Sequence, residues 1–330
     1  MLLYKIVKFY VKTGLFLFYK NIIISGKENI PKNGPILFVA NHQNAMMDPL
    51  LVATSTHKVM YFLARASAFK NKIAAKLLNA IHAIAIYRVR DKVDSKKLNE
   101  AVFNQCLDLF NQEKNILIFP EGSHSTKRQI RSLRAGFTRM TIDYLTNNPK
   151  KDLIIIPVGL NFTNTQNYAE SVHIKYGKPI FSRTFFNANN QNKTKGNLIN
   201  EVKKQLKKVT IHIDDENYEE EINQFNNKDF LFIDKTTQHP KFKIKHSKFN
   251  LFYILMKLNS IFPFLIWYWL KPKIKEKEFL STAKFSLGLS AFPIFYIIQS
   301  LIIFNFFDGI FALTYLIISF ILVFLSTKTR

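Results

Sequence analysis

A histidine and an aspartate six positions apart are the first residues whose types and spacing point to chemistry. The segment Ala40-Asn41-His42-Gln43-Asn44-Ala45-Met46-Met47-Asp48-Pro49 follows a short apolar run and ends where a helix could start. Asp is a favoured helix N-cap and Pro a favoured first helical residue, so this pattern predicts Asp48 as the cap, with His42 facing it across one loop. A carboxylate bonded to one imidazole nitrogen fixes the tautomer and raises the basicity of the other, as a general base needs in order to take a proton from a hydroxyl. Taken alone, such a pair is more often a capping aspartate beside a satisfied loop histidine.

A second segment, Phe119-Pro120-Glu121-Gly122-Ser123-His124-Ser125, follows another buried-looking run. In α/β domains, groups outside the carboxyl ends of strands face ligands. Pro120 and Gly122 shape a turn that aims Glu121 and backbone N–H groups into such a cleft. Lys127, Arg128, Arg131, Arg134 and Arg139 follow closely. A cluster this dense suits phosphate binding through charge-assisted, partly bidentate hydrogen bonds, and a solvated basic face is the plain alternative.

Four blocks stand in order along the chain: Asn41-His42 to Asp48, Tyr87-Arg88, Phe119-Pro120-Glu121-Gly122, and Ile156-Pro157-Val158-Gly159. Over residues 20 to 210 they resemble the glycerolipid acyltransferase family, which includes glycerol-3-phosphate and lysophosphatidic acid acyltransferases. The resemblance implies transfer of a fatty acyl chain from an acyl thioester, on CoA or an acyl carrier protein, to a hydroxyl of glycerol 3-phosphate or lysophosphatidic acid. It implies that His42 is the base and Asp48 its orienting partner, with Arg88, or Arg90 two positions on, and Glu121 and Gly122 in the acceptor's phosphate or glycerol site. Ser123, Lys127, Arg128 and Arg131 are further candidates for that site.

The pattern departs from the family in two places. Five residues rather than the usual four separate His42 from Asp48, which leaves the acceptor open. His124 also stands where the family often carries Arg, so the phosphate charge falls to Lys127, Arg128 or Arg131.

Other chemistries find little support. Ser123 and Ser125 lack the Gly-x-Ser-x-Gly context of an acyl-serine nucleophile. The eight histidines form no His-Glu-x-x-His pair, and no Gly-rich phosphate loop is present. Cys106 is the only cysteine and reads as a core residue. No metal and no cofactor is expected beyond the acyl thioester co-substrate.

These residues need a scaffold, and short apolar runs alternating with helical patterns provide one. The runs lie at 35–40, 59–63, 84–87, 115–119 and 153–158, and they predict an α/β domain with a mixed, largely parallel sheet flanked by helices. Residues 1–20 space Lys5, Lys8 and Lys12 at helical intervals among apolar residues and predict an amphipathic helix at a membrane interface; no small-residue cleavage site follows that would make them a signal peptide. The catalytic domain is placed at 21–210 and a charged connector at 211–249. The polar stretch 187–197 precedes a helix expected at 198–209.

Residues 250–330 are crowded with Phe, Ile and Leu. Segments 285–305 and 309–326 each approach the ~20 residues needed to span a bilayer and predict a C-terminal transmembrane hairpin. Lys257, Asn259, Ser260 and Pro263 interrupt 250–270, which fits an interfacial or re-entrant helix. Lys284 on one flank and Lys328 and Arg330 on the other place the site at the membrane, on the cytoplasmic face.

The 330 residues carry a formal net charge of +24. That charge calls for a polyanionic partner. The apolar residues 250–330 select the lipid bilayer over nucleic acid, for which no motif is present. The expected partners are the bilayer, a glycerophosphate-type acceptor and an acyl thioester donor. The alternative is a non-catalytic membrane-surface protein that binds anionic lipids.

Overall fold

The computed structural model describes residues 2–87, 94–227 and 249–330. Eight strands among them form one sheet: β1 (Asn21–Ser25), β2 (Ile36–Ala40), β3 (Met60–Arg65), β4 (Ala83–Ile86), β5 (Asn115–Ile118), β6 (Ile154–Phe162), β7 (Ser171–Tyr176) and β8 (Ile180–Phe181). Their order is β1-β7-β6-β2-β5-β3-β4, with β8 paired to β6. Strands β6, β2, β5, β3 and β4 pair in parallel, whereas β7 and β8 run antiparallel to β6.

The side chains of β2 explain its central place. Ile-Leu-Phe-Val-Ala contains no polar group and is buried throughout. Successive side chains point to opposite faces, so Ile36, Phe38 and Ala40 enter one core while Leu37 and Val39 enter the other. The first core is covered by α1 (Leu2–Phe18) and α2 (Met47–Ser55), and α3 (Lys72–Ala80) packs beside it. The second is covered by α4 (Ser95–Asn111), α5 (Gly136–Asn147) and α6 (Gln191–Val209). Each Leu, Ile, Val or Phe side chain fully buried in this way contributes about 1.5–3 kcal/mol. Cys106 lies in the second core, where burial pushes its thiol up to about 12, far from a reactive thiolate.

The register fixes the site. Val39 of β2 pairs with Ile118 of β5 in parallel. His42 and Glu121, each three residues further on, therefore leave the same edge of the sheet on neighbouring strands.

Three elements differ from the sequence reading. Helix α2 starts at Met47 with Met46 at the cap position, so Asp48 sits inside the first turn and is not the cap. Its carboxylate is engaged by His42 and by the loop before the helix, which outcompetes a capping bond. Helix α6 begins at Gln191, so most of the polar stretch 187–197 is helical; Asn190 caps it by accepting from Lys193 N. The first predicted span is longer than expected and interrupted at Ser290.

After α7 (Tyr218–Asn227) come α8 (Leu251–Asn259), α9 (Ile261–Leu270), α10 (Leu280–Leu289), α11 (Ala291–Phe306) and α12 (Gly309–Lys328). Residues Lys277–Phe306 and Gly309–Lys328 are each long and apolar enough to cross a membrane, and α8 and α9 meet at an angle of 89°. Proline accounts for both breaks: it lacks an N–H and clashes with the carbonyl four residues back. Pro293 opposes Leu289 at the α10–α11 junction, and Pro263 opposes Asn259 at the α8–α9 junction. Residues 228–248 of the connector, Arg88 and Arg90 lie outside the described residues.

Candidate active site

Asn41 begins the site by extending the sheet beyond β2. Its side-chain amide donates to Leu160 O at 3.0 Å and accepts from Leu160 N at 2.7 Å, which clamps the strand end to β6. The next residue, His42, is thereby delivered at the sheet's carboxyl edge. Its Nδ1 lies 2.7 Å from Asp48 Oδ2. The same oxygen accepts from Gln43 N and Asn44 N, both at 2.8 Å. Three donors on one buried oxygen fix the carboxylate and, through it, the imidazole plane. Phe119 stacks on the ring at 4.2 Å between centroids. Among the described residues His42 Nε2 has no partner, and 17% of the side chain is exposed.

The second loop is tied to the first: Ser125 N donates to His42 O at 3.0 Å, and Gln43 Nε2 donates to Lys127 O at 3.0 Å. Its turn depends on Gly122, whose φ is +73°. A Cβ there would also approach Arg134 Cγ to 3.2 Å. Only glycine adopts this conformation without strain. The turn buries Glu121, whose Oε2 accepts from Arg131 Nε at 2.6 Å. Arg131 also donates from Nη1 to Ser123 Oγ at 2.7 Å and from Nη2 to Ser123 O. Burial raises the Glu121 carboxyl above its ordinary range, and Arg131 opposes that rise.

The basic residues are not equivalent. Arg131 closes on Glu121 and keeps 26% of its side chain exposed. Lys127 is exposed, with its ammonium over the Tyr218 ring. Arg128 is buried and donates from Nη2 to Thr163 O at 3.0 Å, which ties it to the loop after β6; burial lowers its guanidinium to about 10. No three His, Cys, Asp or Glu side chains among the described residues converge where they could hold a metal ion.

Sequence reasoning missed the stretch that covers the mouth. Glu276 and Phe279, in the link between α9 and α10, reach His124: Glu276 Oε2 lies 3.4 Å from its Nε2, and the Phe279 ring meets it edge-on at 5.0 Å. His124 in turn meets His42 edge-on at 5.7 Å. The Arg65 guanidinium, at the end of β3, sits over Phe279. Only the alternation of Lys and Glu at 273–278 marked this link in the sequence, and that pattern reads as ordinary surface.

Fold and site together define an α/β domain with a histidine–carboxylate pair and an acidic turn side by side at the carboxyl edge of its sheet. Residues 21–161 match the Acyltransferase family model. The chain is 26% identical over 134 residues to a chloroplastic 1-acyl-sn-glycerol-3-phosphate acyltransferase of Arabidopsis thaliana, covering 40% of this chain and 35% of that one. It is 27% identical over 154 residues to a 1-acyl-sn-glycerol-3-phosphate acyltransferase of Borreliella burgdorferi, covering 47% of this chain and 56% of that one. The chain thus spans between about a third and somewhat over half the length of these relatives. A solved 1-acyl-sn-glycerophosphate acyltransferase from Thermotoga maritima aligns with a TM-score of 0.44 at 19% identity, covering 62% of this chain and 79% of the other. The match over 21–161 and these relatives thus make this stretch similar to the acyltransferase domain of 1-acyl-sn-glycerol-3-phosphate acyltransferases.

Proposed function

We propose that this protein transfers a fatty acyl chain from an acyl thioester to a hydroxyl of a glycerophosphate-type acceptor, lysophosphatidic acid or glycerol 3-phosphate, at a membrane surface. The observation that carries this reading is the 2.7 Å contact of His42 Nδ1 with a buried, three-fold bonded Asp48 Oδ2, which leaves Nε2 as the proton acceptor. The acceptor O–H gives its proton to Nε2 as its oxygen attacks the thioester carbonyl. The resulting tetrahedral oxyanion collapses with cleavage of the C–S bond, and the thiolate takes the proton back from the imidazolium. No covalent acyl-enzyme is required.

Within this reading Asp48 orients the base. Glu121, Gly122 and Ser123 shape the acceptor pocket, Glu121 through its ion pair with Arg131. The acceptor's phosphate meets Arg131 and Lys127 at the mouth, and Arg88, from outside the described residues, remains a candidate for the same role. Arg128 is assigned to the wall, since its guanidinium is buried against Thr163.

The cytoplasmic face is proposed from charge and contact. Lys284 donates to Gln166 O and Lys328 to the carbonyls of Tyr19 and Lys20, so both cations sit against the catalytic domain at the same side of the apolar helices.

The test is a panel assay on membranes containing the wild type or His42→Ala. It offers lysophosphatidic acid, glycerol 3-phosphate and other lysophospholipids with a labelled acyl-CoA, and follows both thiol release and labelled product. Product with one phosphate-bearing acceptor, lost in the variant, supports the reading. Binding to anionic vesicles with the acyl-CoA left intact across the panel would replace it by a non-catalytic lipid-binding role.

A further inference from the structure

A cavity of about 320 Å³ lies away from His42, between α1 and the C-terminal helices. Leu17, Phe18, Trp267, Phe285, Phe292 and Val323 form much of its wall, and none of its lining residues belongs to the catalytic edge. Its size is at the lower end of the ~300–1,000 Å³ typical of small-molecule sites, which fits one aliphatic chain better than a two-chain lipid.

Two cations share this apolar wall. Lys284 Nζ donates to Gln166 O at 2.7 Å and lies 5.2 Å from the Trp267 ring centre. Arg330 Nη1 donates to Tyr168 O at 3.2 Å, with the guanidinium 5.2 Å from the Tyr253 ring centre. Among the described residues neither forms an ion pair with a carboxylate. Each spends one donor on a carbonyl, whereas an ammonium has three donors and a guanidinium five. Cations half-buried among apolar groups call for a counter-charge.

The glycines of the facing helices differ in a telling way. A Cβ on Gly14 would stand 2.3 Å from Leu289 Cδ2, so Gly14 serves the close approach of α1 to α10. A Cβ on Gly288 meets nothing within 4 Å, and Gly288 lines the cavity. That position is open space.

We infer that this cavity is a second lipid site, separate from the catalytic edge, which takes the single aliphatic chain of an anionic amphiphile with its phosphate or carboxylate head on Lys284 and Arg330.

The sequence holds two tryptophans, so Trp269→Phe leaves Trp267, in the cavity wall, as the sole tryptophan, excited selectively beyond the tyrosine absorption band. The full chain carrying this change, in neutral phosphatidylcholine nanodiscs, is titrated with chain-brominated fatty acid, chain-brominated lysophosphatidate and chain-brominated neutral monoacylglycerol. Saturable quenching by both anionic probes is expected, about tenfold tighter than by the neutral one. Adding Gly288→Leu should abolish the saturable component while leaving the unfolding temperature unchanged. Lys284→Gln should remove the preference for anionic probes and leave chain binding, a result that does not depend on the Leu variant folding. Quenching that rises without saturation, that persists in folded Gly288→Leu, or that is equal for charged and neutral probes overturns the proposal. Displacement of the probes by inorganic phosphate alone overturns it also, since the site would then be an anion site without a chain pocket.

Discussion

Two pieces of chain meet at the mouth of the proposed active site, and they are held there by different physics. The loop from Asn41 to Asp48 is held mainly from within: the donors on Asp48 that aim the His42 ring lie within seven residues of it, and the clamp to Leu160, the Phe119 ring and the Ser125 N–H on the His42 carbonyl add support from outside. The link bearing Glu276 and Phe279 reaches His124 from about 150 positions further along the chain, with one 3.4 Å polar approach and one edge-on ring contact. A local network of short hydrogen bonds gives a rigid base. A single long polar contact with ring edges gives a cover that can be perturbed without disturbing the base, and the comparison predicts that mutations in the two regions separate into effects on kcat and effects on KM.

The largest effect belongs to His42. Its replacement by Ala should lower acyl transfer by about 10²–10⁴-fold, the range for loss of a general base, with vesicle association unchanged. Asp48→Asn should follow at about 10²-fold, because an amide keeps the volume but puts an N–H or a neutral oxygen opposite Nδ1 and loosens the tautomer. Both losses should appear in kcat; a loss confined to KM would break the assignment of the loop to chemistry.

The Glu121–Arg131 pair tests the second loop. Arg131→Met leaves a buried carboxylate whose Oε2 has lost its charged donor, and it should cost about 3 kcal/mol of stability as well as activity. Glu121→Gln in the same chain should recover part of the stability, read by thermal unfolding, and none of the acceptor affinity if Arg131 also meets the phosphate. Recovery of both would confine Arg131 to a structural role.

How much of this was legible beforehand follows the same division. The parallel strands were readable because β2, β5 and β6 carry almost uninterrupted apolar runs, as a sheet buried on both faces requires. The pairing of His42 with Asp48 was readable because both lie in one loop. The cap was misread, since Asp at the start of a helix satisfies two patterns, a cap and a loop clamp, and the sequence does not say which donors reach the oxygen first. The α10–α11 break had its signal in Pro293, masked by the apolar run around it. The cover over His124 had only the Lys and Glu alternation at 273–278, which reads as ordinary surface: its contacts arise from where α9 ends and α10 begins in space, and Glu276 and Phe279 carry no pattern pointing to a partner so distant.

Phe279→Ala probes that cover directly. It removes the ring between His124 and the Arg65 guanidinium, and should raise the acceptor KM several-fold while kcat changes little, because His42 and Asp48 keep their own bonds. Equal losses in kcat would mean that the link positions the base as well, and the two regions would then act as one.

The smallest effect is a pH dependence centred on His124. Burial, followed by the neighbouring His42 and Arg65, lowers its imidazole below the ordinary 6.5, against the raising influence of Glu278 and Glu276. The folded state therefore resists protonation there more than the unfolded chain does. Between the lowered value and 6.5 the unfolded state binds more protons, so this residue makes stability rise with pH across that window and leaves it level above. His124→Gln should flatten that part of the profile of unfolding temperature against pH. Glu276→Gln keeps the imidazole and removes one of the two carboxylates that raise it, so it should extend the rise to lower pH while its upper end stays near 6.5. An unchanged profile in both variants would show that the link touches His124 without an electrostatic hold on it, and the separation between a rigid base and a yielding cover would then rest on the Phe279 ring alone.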